Sequence, residues 1–349
     1  MCHKLSLLTL FTALFLAAGG AFAPAQQQEL IGAGATFPEP LYAKMFDVYL
    51  NQSGVRINYQ GIGSGGGIQQ LLQKTVDFAG SDAYVKDAQM ASFGGSVLHV
   101  PTCLGAVVVT YNLPGSPFLN LTPDVIADIF LGRITTWNDG RIAALNPSIK
   151  LPAATISVVH RSDGSGTSFV FTDYLSKVSP EWKLRVGSGT AVKWPCGIGG
   201  KGNPGVAQLV KQTAGGVGYV ELAYAEKNKM PYALIRNRGG VFVKPSIASV
   251  TAAAVTEIPA DTRATITDTL AKDGYPISAF TWILVYPEQN YGGRPMAKVK
   301  AMVKLLWWMT HEGQMYCKDL LYAPLPKAVV AKAEAIIRSI RFDGKPLMK

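Results

Sequence analysis

The chain alternates short β-branched runs with helical stripes, and at three places a glycine-rich turn carrying a hydroxyl residue stands where a helix begins. Phe37, Leu41, Met45 and Val48 fall on one face of an amphipathic helix. Arg56 to Gln60 reads as a strand, Ile68 to Lys74 as a helix, and Val76 to Gly80 as a strand again. Ala106 to Thr110, Ile156 to His160 and Trp282 to Tyr286 are apolar runs of buried-strand length, and Ser168 to Leu175 reads as helix. Val299, Met302, Val303, Leu306 and Met309 make a late helix; Val329, Val330, Ala333, Ile336, Ile337 and Ile340 make the last, started by Pro326. Strands alternating with helices imply α/β layers with mostly parallel sheets. At 349 residues the chain is long enough for two domains, and 48% hydrophobic against 16% charged residues excludes a disordered polyelectrolyte.

The turns are Gly32-Ala-Gly-Ala-Thr-Phe37, Gly61-Ile-Gly-Ser-Gly-Gly-Gly67 and Arg161-Ser-Asp-Gly-Ser-Gly-Thr167. A helix start offers unsatisfied N–H groups and about half a positive charge, and so receives anions readily. Glycine lets an anion reach the backbone. One such turn is ordinarily an N-cap and nothing more. Three together, one carrying an arginine, point to an oxyanion site with many contacts. Gly61-x-Gly63-x-x-Gly66 also satisfies the dinucleotide fingerprint, with Asp82 at a suitable distance. That model leaves the other two turns without a role, and export argues against it.

Export is read from the amino terminus. Lys4, the apolar run Leu5 to Leu16, and small residues ending in Ala21-Phe-Ala23 make a signal peptide over residues 1–23. The run is too short for a comfortable membrane span. Three cysteines remain after cleavage, Cys103, Cys196 and Cys317; their spacing fits no metal or redox motif, and they read as plain thiols, with one disulfide in any of three pairings the alternative that an oxidising compartment permits. The net charge of +10 is spread along the chain, which disfavours a nucleic-acid partner. Neither G-x-S-x-G nor a P-loop occurs, and the histidines lack metal-ligand spacing; His160 reads as a packed or rim residue. The Gly/Pro-rich stretch Trp194 to Gly205 is the longest loop candidate, either functional or a wandering connection.

The segments Gly32-Ala-Gly-Ala-Thr-Phe-Pro38, Tyr59-Gln-Gly-Ile-Gly-Ser64, Val76-Asp-Phe-Ala-Gly-Ser-Asp82, Arg161-Ser-Asp-Gly-Ser-Gly-Thr-Ser-Phe169 and Val217-Gly-Tyr-Val-Glu221 closely resemble the periplasmic phosphate-binding proteins of bacterial phosphate ABC importers. Leu131-Gly-Arg-Ile-Thr-Thr-Trp137 and Val192-Lys-Trp-Pro195 fit as well, in the same order along the chain. The resemblance implies an α/β, two-lobed periplasmic-binding-protein fold of type II, each lobe a sheet flanked by helices, joined by crossing strands. Lobe I is expected over residues 26–110 and 284–349 and lobe II over 111–283, with crossings near Thr110 and Ile283. It further implies that phosphate is held by Thr36, Phe37 (through its backbone), Ser64 and Asp82 from one lobe, and by Arg161, Ser165, Gly166 and Thr167 from the other. Asp163 is expected to pair with the arginine. Cys196, where an aliphatic residue is expected, and residues 234–276 depart from the pattern.

The chemistry of these residues agrees with that implication. Hydroxyls, amides and a guanidinium supply donors to a tetrahedral anion. Asp82 can accept the proton that phosphate retains near neutral pH, whereas sulfate has none to give. The function expected is therefore exported binding of inorganic phosphate and delivery to an inner-membrane ABC permease, without cofactor or metal and without catalysis. The alternative is an exported phosphate-ester hydrolase using the same cradle.

Overall fold

The computed structural model describes residues 28–348, so the expected signal peptide lies outside the described residues. Eight strands carry the fold: β1 (Glu29–Gly34), β2 (Arg56–Gly61), β3 (Phe78–Ser81), β4 (Leu98–Tyr111), β5 (Ser157–Arg161), β6 (Ile198–Gly200), β7 (Gly216–Glu221) and β8 (Ser278–Val285). They lie side by side in the order β2-β1-β3-β8-β4-β7-β5-β6. The outer pairings are parallel, β1 with β2 and β3, and β5 with β6 and β7. The inner pairings, β8 with β3 and β4, and β4 with β7, are antiparallel. The expectation of mostly parallel sheets thus holds only toward the edges. The reason is topological: β4 carries the chain from one half into the other and β8 brings it back.

β4 belongs to both halves. Leu98 to Ala106 pair with β8, and Val107 to Tyr111 pair with β7. It is covered on both faces, so all but its first residue are buried, and the sequence Ala106-Val-Val-Val-Thr110 runs apolar without alternation. The register of β4 against β8 slips between Thr281 and Trp282, which face Cys103 and Pro101 respectively. Pro101 has no N–H for the ladder, and a bulge is where a strand tolerates that loss.

Helices flank the sheet: α1 (Glu39–Ser53), α2 (Ser64–Leu72), α3 (Gly166–Val178), α4 (Gly202–Gln212), α5 (Met296–Thr310) and α6 (Lys327–Arg338). α1 buries Leu41, Tyr42, Met45, Phe46 and Tyr49, a face turned slightly from the expected one, since Val48 is only half-buried. α2 starts at Ser64, four residues before its apolar stripe, because Gly65 to Gly67 carry no periodic signal. Pro326 stands at the N-cap of α6 as expected. Cys103 and Cys317 are buried free thiols and Cys196 is a half-buried one. Among the described residues no helix is long and apolar enough to cross a membrane.

Candidate functional site

The three turns converge. Each leaves the C-terminal end of a parallel strand: β1 before Thr36 and Phe37, β2 before Ser64, and β5 ending in Arg161 ahead of Ser165. Ligands in open α/β sheets collect at that edge. Thr36, Phe37, Ser64, Asp82, Arg161, Ser165, Gly166 and Thr167 are all buried.

Contacts across the two halves are tight. The Gly65 amide donates to the Gly164 carbonyl at 2.8 Å. Gly63 has a φ of +85° and faces the Asp163 carboxylate and the Gly164 carbonyl, so both its backbone and its neighbours exclude a side chain. A β-carbon on Gly166 would collide with the Ser64 hydroxyl and the Asp82 carboxylate. The second and third turns therefore touch through glycine.

Four buried amides in these turns, those of Phe37, Ser64, Gly166 and Thr167, have no acceptor among the described residues. Three of them belong to the first two residues of α2 and α3, where no carbonyl a turn back is available. Buried N–H groups are nearly always satisfied, so their clustering marks a place for an acceptor from outside the chain. Ser165 is the N-cap of α3, and its Oγ accepts from the Ser168 amide at 3.0 Å, which leaves the hydroxyl proton to be given elsewhere.

Arg161 is the cation of the cluster, its side chain 1% exposed. Its Nε donates to Asp163 Oδ1 at 2.7 Å and its Nη2 to Oδ2 at 2.5 Å. One edge of the guanidinium is thus taken by Asp163, and Nη1 reaches the Thr167 hydroxyl at 3.3 Å. Burial would raise the Asp163 carboxyl, but the Arg161 guanidinium and the Gly202 amide bonded to it hold it below the usual carboxylate range. The backbone amide of Arg161 donates to the Tyr219 hydroxyl, which also bonds Ser168.

Asp82 is the anion of the cluster. Its Oδ1 accepts from Thr281 at 2.7 Å, and its amide donates to Ser64 Oγ at 3.2 Å. Burial pushes its carboxyl up to about 7, against the opposing pull of Thr281, Arg161 and Ser64. The antiparallel pairing of β8 with β3, Trp282 against Ser81, brings Thr281 beside that carboxylate. Glu221 is a second buried carboxyl, driven well above the ordinary value by burial; its Oε2 accepts from the Ala223 amide at 2.7 Å and lies 3.1 Å from the Tyr322 hydroxyl. Tyr322 donates to the Phe37 carbonyl at 2.7 Å, and the Phe37 ring packs against Gly105.

All nine expected residues therefore lie in one cluster. Sequence reasoning missed Asn203, Thr281 and the Tyr224 hydroxyl, which donates to the Thr36 carbonyl at 2.7 Å. Asn203 lies in the glycine-rich stretch already flagged; the other two carry no local signal. His99 accepts from the Val85 amide and is lowered to about 4, chiefly by burial, while His160 stacks on Trp194.

Comparison with known proteins follows the same line. A PBP superfamily domain matches residues 20–302. The chain is 44% identical over 315 residues to the phosphate-binding protein PstS of Pasteurella multocida, covering 89% of this chain and 90% of that one. Among solved structures, a high-affinity periplasmic phosphate-binding protein (PfluDING) bound with phosphate superposes with a TM-score of 0.70 at 21% identity, covering 88% of this chain and 93% of that one. An ABC-type phosphate transport receptor from Vibrio cholerae gives 0.54 at 17% identity, covering 85% and 100%. At such identities the solved structures speak for the two-lobed fold alone, whereas the PstS match spans nearly the whole chain at high identity. The chain belongs to the PstS family of phosphate-binding proteins within the PBP superfamily.

Proposed function

We propose that the chain binds one inorganic phosphate between its two halves and delivers it to an ABC-type importer. The observation that carries this reading is the cluster of buried, unpartnered amides, with buried hydroxyls, beside one arginine and one acceptor carboxylate. Phosphate oxygens would take donors from the Phe37, Ser64, Gly166 and Thr167 amides, from the Thr36, Ser64, Ser165 and Thr167 hydroxyls, and from the edge of Arg161 not bonded to Asp163. Asp82 would accept the ligand's proton. Charge-assisted bonds in a dry site are stronger than in water, which favours burial of the anion.

The lobe assignment belongs to the same proposal. The switch of partners along β4 supports a crossing at Ala106–Val107, and β8 supports the return at Ile277–Ser278, a few residues before the expected Thr110 and Ile283. The export signal expected over residues 1–23 supports a periplasmic setting, and the permease is the partner that setting and family imply. Calorimetric titration of the mature chain with phosphate should give one site per chain. A phosphate-ester turnover assay on the same preparation should show no hydrolysis above the uncatalysed rate. Absence of a phosphate heat, or clear turnover, would reject the reading.

A further inference from the structure

Asn203 is fully buried at the second residue of α4 and touches the first and third hydroxyl-bearing turns. Its Oδ1 accepts from the Glu221 amide at 2.9 Å, which fixes the orientation of the side-chain amide. Nδ2 therefore faces the hydroxyls, with one proton toward Thr36 Oγ1 at 2.9 Å and the other toward Thr167 Oγ1 at 3.0 Å. The Asn203 backbone amide also donates to Thr36 Oγ1, at 3.1 Å. Thr167 Oγ1 receives a second donor from Arg161 Nη1.

A hydroxyl has two acceptor lone pairs and one proton. In both threonines the lone pairs are filled by N–H donors, so the proton has only the role of donor left. We infer that Asn203 is a positioning residue for the anion site: it makes Thr36 and Thr167, from opposite halves, donate toward the bound phosphate. The inference rests on the phosphate reading above. Asn203 itself need not touch the ligand. It sets the direction of two hydrogen bonds that, left to rotate, could turn their lone pairs toward the anion and repel it.

The test is a double-mutant cycle read by phosphate affinity in calorimetry, using wild type, Asn203→Ala, Thr167→Val and the double variant. Thr167 and Asn203 lie in the same half, so coupling between them cannot come from a tie between lobes. Asn203→Ala should weaken phosphate by about 10- to 100-fold, and the same change in the Thr167→Val background should cost at least about fivefold less. Equal losses in the two backgrounds, with wild type binding normally, overturn the role of Asn203 alone. Absence of binding by wild type overturns the phosphate reading and this assignment with it. Asn203→Asp keeps the size and the Oδ1 acceptor but replaces the Nδ2 donor with an acceptor that draws both hydroxyl protons to itself. Thermal melts check that both variants fold, and Asn203→Asp should bind phosphate more weakly than Asn203→Ala. Affinity near that of wild type would overturn the inference.

Discussion

At the scale of the residue, Arg161 and Asp82 have opposite charges and opposite problems. Arg161 is buried with its charge matched by Asp163 along one edge, so it can offer the other edge to a ligand without reorganising. Arg161→Ala should weaken phosphate binding by about 100-fold or more, because ligand oxygens inside a closed site lose their charged donor. A change below threefold by calorimetry would make Arg161 a bystander. Asp82 is buried with no ion pair among the described residues to offset its burial, and its carboxyl is pushed up to about 7 from its ordinary value of 3.8. A folded-state value raised in this way means the native protein binds the proton more tightly than the unfolded chain does. The stabilisation is complete below about pH 4 and is lost as pH rises through 7, amounting to about 4 kcal/mol. In phosphate-free buffer, wild type should therefore lose melting temperature relative to Asp82→Asn between pH 4.5 and 7.5. Parallel curves for the two proteins would show that Asp82 is not strained in this way. The same variant should admit sulfate as a competitor, since an amide donates where the carboxylate repels.

At the scale of the element, the helix starts are what the sequence announced best. Ser165 was legible as a cap from its place between an apolar strand and a helical run, and the structure has it capping α3. Ser165→Ala should cost about 1 kcal/mol in denaturant unfolding from the lost cap, and should also weaken phosphate. Loss of stability without loss of affinity would leave Ser165 a cap only. Gly166 carries the opposite expectation. Its missing β-carbon makes room for Ser64 and Asp82 of the other half, so Gly166→Ala should abolish tight binding and leave the melting temperature nearly unchanged. What the sequence withheld at this scale follows from geometry. The start of α2 was hidden because three glycines have no hydrophobic period. The antiparallel placement of β8 between β3 and β4 was hidden because an apolar run records burial and not direction. Asn203 was hidden because its importance comes from partners 167 and 36 residues away in the chain.

At the scale of the whole molecule, β4 is the strand of the large sheet that pairs with strands of both halves, and the site lies where turns from both halves touch. Donors from Thr36, Phe37 and Ser64 and donors from Arg161, Ser165, Gly166 and Thr167 can serve one ligand only while the halves are together. Two chain crossings, near Ala106–Val107 and Ile277–Ser278, would form the hinge between the halves. The account therefore requires that phosphate bias the molecule toward the compact arrangement, since only that arrangement lets both sets of donors reach it. Small-angle scattering of the mature chain, in phosphate-free buffer and then at saturating phosphate confirmed by calorimetry, tests this most directly. The account predicts a smaller radius of gyration with phosphate bound, and an identical profile in the two conditions would contradict it.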